Sequence, residues 1–260
     1  LDIMAKLRDP VTGCPWDREQ TVVSIVRHTL EEAYEVADAA ENGSSGLLRE
    51  ELGDLLFQVV FIARIAEERG EFDFPSVCNG LVEKLIRRHP HVFGEVSLRD
   101  SESVANQWEE IKALERGEKE TTAPFDGIPV ALPSLTRAAK VQGRAARFGY
   151  DWQELNQVVS KLAEELEEFQ SALSVEDSAS ERIESELGDV LFTCVNVARH
   201  LRVDPESSLR KAVRRFEGRI EIALKLIAAT GRQPSELSSS ELNRYWVEAK
   251  LSLQNPDSPI

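Results

Sequence analysis

Paired acidic residues at helical spacing are the part of this sequence best suited to chemistry. The segment ELGDVLF places Glu186 three positions before Asp189, and the segment ELGDLLF repeats the pair as Glu51 and Asp54. Residues three apart share one face of an α-helix, so each pair presents its carboxylates side by side. Carboxylate oxygens are the ligands that hard divalent cations such as Mg²⁺ prefer.

A second acidic segment precedes each of these pairs. LEEAYE contains Glu32 and Glu35, and AEELEE contains Glu165 and Glu168. In the second copy, apolar residues at helical intervals form a stripe on each helix, and the acidic residues lie at the edge of the stripe. Packing the stripes in an antiparallel pair brings four carboxylates together at the margin of the core. They belong to Glu165, Glu168, Glu186 and Asp189.

Clustered carboxylates repel one another strongly where the local dielectric is low. Either lysine and arginine side chains or a divalent cation must offset this repulsion. Oxygen ligands favour Mg²⁺, Mn²⁺ or Ca²⁺ over Zn²⁺, and neither acidic segment contains histidine or cysteine. The missing Glu-x-x-His motif also argues against a ferritin-like di-iron site.

A solvated helix face is the alternative interpretation, and for EELEE alone it is the better one. Gly53 and Gly188 argue against it in the ELGD segments. Glycine inside a helix costs about 1 kcal/mol relative to alanine, yet both copies have it at the same position. We expect a close helix approach or a bound ligand beside these glycines.

The elements that position these residues are helices, because strand-like alternation is nearly absent. Asp204 followed by Pro205 is typical of a helix N-terminus. The predicted helices cover about 20–41, 46–69, 75–89 and 102–115 in the first half, and 134–147, 153–173, 179–201, 205–230 and 239–253 in the second.

The two halves share their acidic segments and further blocks in the same order. KLIRR matches KAVRR, and WEEIK matches WVEAK. Such agreement indicates a duplicated helical domain. We predict an all-α fold of tandem helical bundles, with residues 1–112 as the first domain, residues 113–133 as a linker and residues 134–260 as the second domain.

The composition limits the classes of function. A chain of 260 residues, 42% of them apolar, can form two domains with true cores. The net charge of −15 disfavours binding to polymeric DNA or RNA, although cations can bridge acidic side chains to a nucleotide. The scattered cysteines fit a reducing compartment. Since neither a membrane-length apolar run nor a signal peptide is visible, we expect a cytoplasmic protein without a membrane partner.

The acidic pattern, E-E-x-x-E followed by E-x-x-D, resembles the all-α nucleoside triphosphate pyrophosphohydrolases. GCPWDREQT and RRHPHVFGEV narrow the resemblance to the two-domain MazG members of that superfamily. The resemblance implies an Mg²⁺-dependent hydrolase, with Mn²⁺ as a substitute. It would split nucleoside and deoxynucleoside triphosphates into monophosphate and diphosphate over a broad substrate range. It also implies a homodimer that completes each helical bundle.

The same resemblance implies roles for residues of the second half. The catalytic, metal-binding residues would be Glu165, Glu168, Glu186 and Asp189. Basic groups should contact the leaving diphosphate, and Trp246 should either contact the base or brace its helix. The substrate-binding residues would be Arg215, Arg219, Trp246 and Lys250. RFGYDW is a candidate loop over the base, with an N-terminal hydrophobic staple of Tyr150 and Trp152 as the alternative.

The first half carries a candidate second metal site but differs in its cations. In that half Pro90 ends the helix, and the position matching Arg219 falls near His91 or Val92. We therefore expect catalysis in the second half and a supporting, dimerising role for the first. The residues of the second site would be Glu32, Glu35, Glu51 and Asp54.

Two alternatives stay open at this stage. No pattern in the sequence indicates which nucleobase is recognised. The enzyme could therefore be specific for one substrate, such as dUTP or a phosphoribosyl nucleotide. Because one copy of the site lacks a cation, the chain could also be a non-catalytic sensor of nucleotide or metal.

Overall fold

The computed structural model describes residues 1–94, 123–174 and 180–254, together with residues 100, 103, 104, 107, 108 and 111. Within these residues the regular structure is helical, which confirms the all-α prediction. The helix predicted over 102–115, with its WEEIK block, lies mostly outside them. None of the described helices combines the length and the apolar character that a membrane span requires.

The first compact unit comprises residues 1–119. Its central feature is a hairpin of α3 and α4, and both α1 and α5 contact α4. A hydrophobic core forms where α1, α3 and α4 meet, around Met4, Ile25, Phe61 and Ile65. The helices described over residues 1–94 of this unit are α1 (Asp2–Leu7), α2 (Pro15–Glu19), α3 (Val22–Glu41), α4 (Ser45–Glu68), α5 (Phe74–Arg88) and α6 (Pro90–Phe93).

The second compact unit comprises residues 120–260 and contains two helical hairpins. One hairpin pairs α8 with α9, the other pairs α10 with α11, and α7 contacts both α9 and α10. Ala223, Ile227, Tyr245 and Ala249 form the core between α10 and α11. Among its described residues the helices are α7 (Ser134–Ala146), α8 (Leu155–Ser174), α9 (Ser180–His200), α10 (Pro205–Ala229) and α11 (Ser239–Gln254), with a 3₁₀ turn at Pro234–Glu236.

The helix ends follow from local chemistry. Asp204 is the N-cap of α10, as predicted, and its carboxylate accepts from the backbone N–H of Ser207 at 3.2 Å. A capping box of Thr21 and Ser24 begins α3. Gly43 and Gly231 take φ values of +70° and +73°, the left-handed conformation in which helices commonly end.

The sequence patterns missed the short elements. Helices α1, α2 and α6 and the 3₁₀ turn have six residues or fewer, too few to show a 3.6-residue period. Pro90 does end α5, at Arg88, but it also occupies the first position of α6. The boundary between the compact units falls inside the predicted linker, whose limits at residues 113 and 133 stay a prediction.

Candidate metal centre

The hairpin of α8 and α9 holds the acidic cluster of the second unit. It brings Glu165 from α8 opposite Glu186 and Asp189 from α9, and one carboxylate oxygen of each lies within 4.8 Å of the others. Glu165 is 7% exposed, whereas Asp189 is exposed. The cluster therefore has a buried floor and an open mouth, as a site that admits a solvated ligand requires.

Glu168 lies one helical turn from Glu165 but is not part of this close trio. Partial desolvation, together with the negative charges of Glu165 and Glu186, raises the pKa of Glu168 despite the opposing effect of Lys161. The carboxylate is therefore inside the field of the cluster. Of the four predicted ligands, Glu165, Glu186 and Asp189 converge directly, and Glu168 lies outside that trio.

The first unit contains a similar but not identical cluster between α3 and α4. Here Glu32, Glu35 and Glu51 have carboxylate oxygens within 4.8 Å of one another, and Asp54 lies outside this trio. Desolvation first, and then the charges of Glu35 and Asp54, raise the pKa of both Glu32 and Glu51. Both units therefore contain a cluster of carboxylates that repel one another.

Both clusters fit a hard divalent cation. Every donor of both trios is a carboxylate oxygen, which suits Mg²⁺ or Mn²⁺ and not Zn²⁺. A cation between the helices would also offset the desolvation and the repulsion that raise the pKa values of Glu32 and Glu168. Glu165, Glu186 and Asp189 would hold it in the second unit.

Lys161 is a member of the second cluster that the sequence analysis missed. Its Nζ donates to Glu164 Oε1 at 2.6 Å and lies 3.0 Å from Glu165 Oε1. These contacts raise the pKa of Lys161, so the ammonium stays charged. Spacings of three and four residues before Glu164 and Glu165 were the available signal. In the first unit the corresponding residue is His28, whose Nδ1 lies 3.0 Å from Glu31 Oε2.

The predicted substrate-binding residues lie on the hairpin of α10 and α11. The guanidinium of Arg219 stands 5.6 Å from the centre of the Trp246 ring, and the Phe216 ring centre is 5.3 Å from that of Trp246. Trp246 therefore braces α11 against α10 and also holds Arg219. Arg215 and Lys250 are exposed on the same hairpin.

The sequence suggested a close helix approach or a bound ligand beside Gly53 and Gly188, and the first of these explanations is wrong within each unit. A Cβ added at Gly53 or Gly188 would meet no heavy atom within 4 Å. A close approach of another helix within the unit therefore does not explain the glycines. The space beside them is open, which leaves a ligand or a second protein chain as the neighbour that glycine would accommodate.

We predict that Lys161→Met makes the protein more dependent on a divalent cation. Without Lys161 the buried carboxylate of Glu165 loses its cationic partner in the metal-free state, whereas bound Mg²⁺ would replace that partner. The rise in Tm on adding Mg²⁺ should therefore be larger for this variant than for the unchanged protein.

Lys225→Met, at an exposed position on α10, is the matched control because it deletes the same charge outside the α8–α9 hairpin. Thermal unfolding with and without Mg²⁺ measures the difference. An identical rise for all the proteins would show that Lys161 does not share Glu165 with a metal.

Comparison with known proteins adds independent observations. The family model described as the MazG nucleotide pyrophosphohydrolase domain matches residues 20–93 and again residues 153–221. The matched segments contain both acidic clusters. The repeat inferred from the sequence is therefore a repeat of one domain.

Relatives match over most of the chain. A nucleoside triphosphate pyrophosphohydrolase of Escherichia coli K12 is 45% identical, with 96% of this chain and 95% of that protein covered. The nucleoside triphosphate pyrophosphohydrolase/pyrophosphatase MazG of Thermotoga maritima is 43% identical, with 96% and 94% covered.

Among solved structures, a mazG-related protein from Thermotoga maritima matches 44% of this chain and 99% of its own, at 25% identity and a TM-score of 0.37. That score is too low to carry a conclusion about the fold. The family model and the full-length relatives do decide the family: the chain belongs to the MazG nucleotide pyrophosphohydrolases.

Proposed function

We propose that the second unit hydrolyses nucleoside and deoxynucleoside triphosphates to monophosphate and diphosphate, with Mg²⁺ as cofactor and a broad substrate range. The observation that carries this proposal is the convergence of Glu165, Glu186 and Asp189 at the open margin of the α8–α9 hairpin. The names of the full-length relatives support the reaction type and favour it over a non-catalytic sensor.

Bound Mg²⁺ would supply the positive charge that a polyanionic triphosphate needs beside carboxylates, and it would make a bound water more acidic. The chain's own residues fix the geometry. Glu165 is held by Lys161 at 3.0 Å, so its carboxylate enters the site pre-oriented. Glu168, one helical turn from Glu165, would complete the ligand set or accept a proton from water.

In the proposed step the oxygen of water bonds to phosphorus, and the phosphoanhydride link between the α and β groups breaks. The proton of the water passes to a carboxylate of the cluster, and the electron pair of the broken bond leaves with the departing phosphate group. Arg215, Arg219 and Lys250 are the cations proposed to stabilise that group. The contact with Trp246 restricts the orientation of Arg219, which reduces the entropy lost on binding.

We further propose a homodimer. Helix α5 has no buried residue although it carries apolar side chains at helical intervals. Helix α10 likewise exposes apolar residues. Exposed apolar stripes of this kind mark interaction surfaces, and a second copy would cover them. The side chains concerned are Val77, Leu81, Val82, Leu85 and Ile86 on α5 and Leu209, Val213, Phe216, Ile220 and Leu224 on α10.

The net charge and the cysteines support the expectations about binding partners and location. A net charge of −15 favours small phosphorylated ligands that arrive with cations over polymeric nucleic acid. We also propose a cytoplasmic location, on the basis of the three free cysteines.

Turnover of ATP should require Mg²⁺ or Mn²⁺, stop on addition of EDTA and not recover with Zn²⁺, because the ligands are all carboxylate oxygens. The products should be AMP and diphosphate, measured by ion-exchange chromatography. Formation of ADP as the main product, or full turnover without a divalent cation, would refute the proposed reaction. Parallel assays with the other common triphosphates would separate a broad from a narrow substrate range.

Matched substitutions test which half carries the reaction. Asp189→Asn should lower kcat for ATP by about 100-fold or more, because it removes a metal ligand and not merely a group that orients one. Asp54→Asn, the same change in the first unit, should leave most of the turnover in place. Sedimentation of both variants checks that each keeps the oligomeric state of the unchanged protein.

Equal losses in the two variants would mean that both units hydrolyse triphosphates. A loss confined to Asp54→Asn would reverse the proposed roles of the two halves.

A further inference from the structure

A cavity of about 680 Å³ lies in the first unit, where the chain after α1 meets α2 and α4. Three of its lining residues are arginines and two are glutamates. Its walls therefore carry more positive than negative charge, although the net charge of the chain is −15. The charged lining residues are Arg8, Arg18, Glu19, Arg64 and Glu68.

The segment GCPWDREQT, which the metal centre does not use, forms one wall of this cavity. It supplies Pro15, Arg18 and Glu19. A Cβ added at Gly13 would lie 2.5 Å from the backbone carbonyl oxygen of Leu7, so glycine allows the chain to close tightly before this wall. The segment therefore has a structural role that its place outside the acidic clusters did not indicate.

Arg8 is the buried arginine of the cavity. Its side chain is 7% exposed, and its Nη2 donates to Glu68 Oε2 at 2.7 Å. Its Nη1 donates to the backbone carbonyl of Asp17 and, at 3.3 Å, to that of Gln20. These bonds fix the guanidinium before any ligand arrives, so its positive charge acts on a ligand without a loss of side-chain entropy.

Glu68 does not cancel the positive charge of the cavity, because two arginines share it. Arg8 lies 2.7 Å from its carboxylate and Arg64 lies 3.0 Å from it. The hydrogen bonds from Arg8 and Arg64 hold the pKa of Glu68 below its usual range, although partial burial opposes them. A further carboxylate, Glu67, pairs with Arg64 at 3.0 Å but does not line the cavity.

Two of the arginines keep donors that a ligand can use. Arg64 spends Nε on Glu68 and Nη1 on Glu67, and its Nη2 donates to none of the described residues. Arg18 is exposed on α2, and its guanidinium has no hydrogen bond or ion pair within the described part of the chain. The planar N–H groups of arginine match the oxygens of a phosphate group.

We infer that this cavity binds a small molecule with two or more phosphate groups, with N–H groups of Arg18 and Arg64 on its oxygens and Arg8 as a fixed charge behind them. More than one phosphate is required because the available donors come from two separate elements, α2 and α4. The volume of the cavity is in the range of small-molecule sites. The site needs no metal, in contrast to the carboxylate clusters, and it does not depend on the proposed hydrolysis.

Glu19 sets the sign of the ligand charge that the cavity favours. It borders the cavity, is exposed, and forms no ion pair with the residues that the structure describes. Its negative charge therefore opposes a bound anion and would assist a bound cation. Removal of this charge must tighten the binding of a phosphorylated ligand.

The test uses inorganic diphosphate, titrated calorimetrically into the full chain in the presence of EDTA. Without a divalent cation the carboxylate clusters repel a polyanion, so the arginine cavity should account for the binding. The unchanged protein should bind diphosphate with a Kd below about 1 mM. Arg18→Gln should weaken the binding at least fivefold, and Glu19→Gln should tighten it at least twofold.

Arg69→Gln is the matched control, because Arg69 is exposed at the end of α4 and does not line the cavity. This variant should keep the Kd within twofold of the unchanged protein. An equal loss in the Arg18 and Arg69 variants would indicate general charge attraction and overturn the site. Weaker binding in Glu19→Gln would do the same, and this variant decides the question if Arg18→Gln does not fold.

Two further results would also overturn the inference. One is the absence of diphosphate binding to the unchanged protein in EDTA. The other is equally tight binding of succinate, since that would show a site for any dianion and not for phosphate groups. Hydrolysis of ATP with Mg²⁺ is assayed separately, so a protein that binds diphosphate in this way but fails to hydrolyse ATP would uphold the cavity site and refute the proposed reaction.

Discussion

Repulsion between carboxylates at the edge of a helical hairpin is the constraint on which the rest of the structure depends. Packing α8 against α9 brings Glu165 to within 4.8 Å of Glu186 and Asp189, and it buries Glu165. Lys161 reaches Glu165 directly, at 3.0 Å. The remaining charge makes the site a strong attractor for a divalent ion, and an ion bound there converts an acidic margin into a phosphate site.

The duplicated hairpins, α3–α4 and α8–α9, carry the same acidic residues but have different neighbours. In the first unit Phe61 closes the core beside the cluster, and Pro90 divides the following helix. In the second unit Asn196 borders a cavity, and α10 continues without a break through Arg219. The chemistry proposed for the chain therefore depends less on the carboxylates, which both halves have, than on the groups that could hold a nucleotide around them.

Much of the fold was predictable because its signals are local. Helix limits follow from apolar periodicity and from caps such as Asp204, and the acidic trios follow from spacing within each helix plus antiparallel pairing. The cavity that Asn196 borders was not predictable, because Gln142 and Asn196 come to line it only through the packing of α7 on α9. The glycine argument failed in part for a similar reason: a single sequence does not show whether protein or open space lies beside Gly188.

The most direct test of the account is to locate the metal. Crystals grown with Mn²⁺ and the α,β-methylene analogue of ATP would show the ion by its anomalous scattering. The account predicts a peak between α8 and α9, with oxygens of Glu165, Glu186 and Asp189 at about 2.1 Å, the distance typical of small octahedral cations. Absence of Mn²⁺ from this position, or an ion bound only by Glu32, Glu35 and Glu51, would contradict the account.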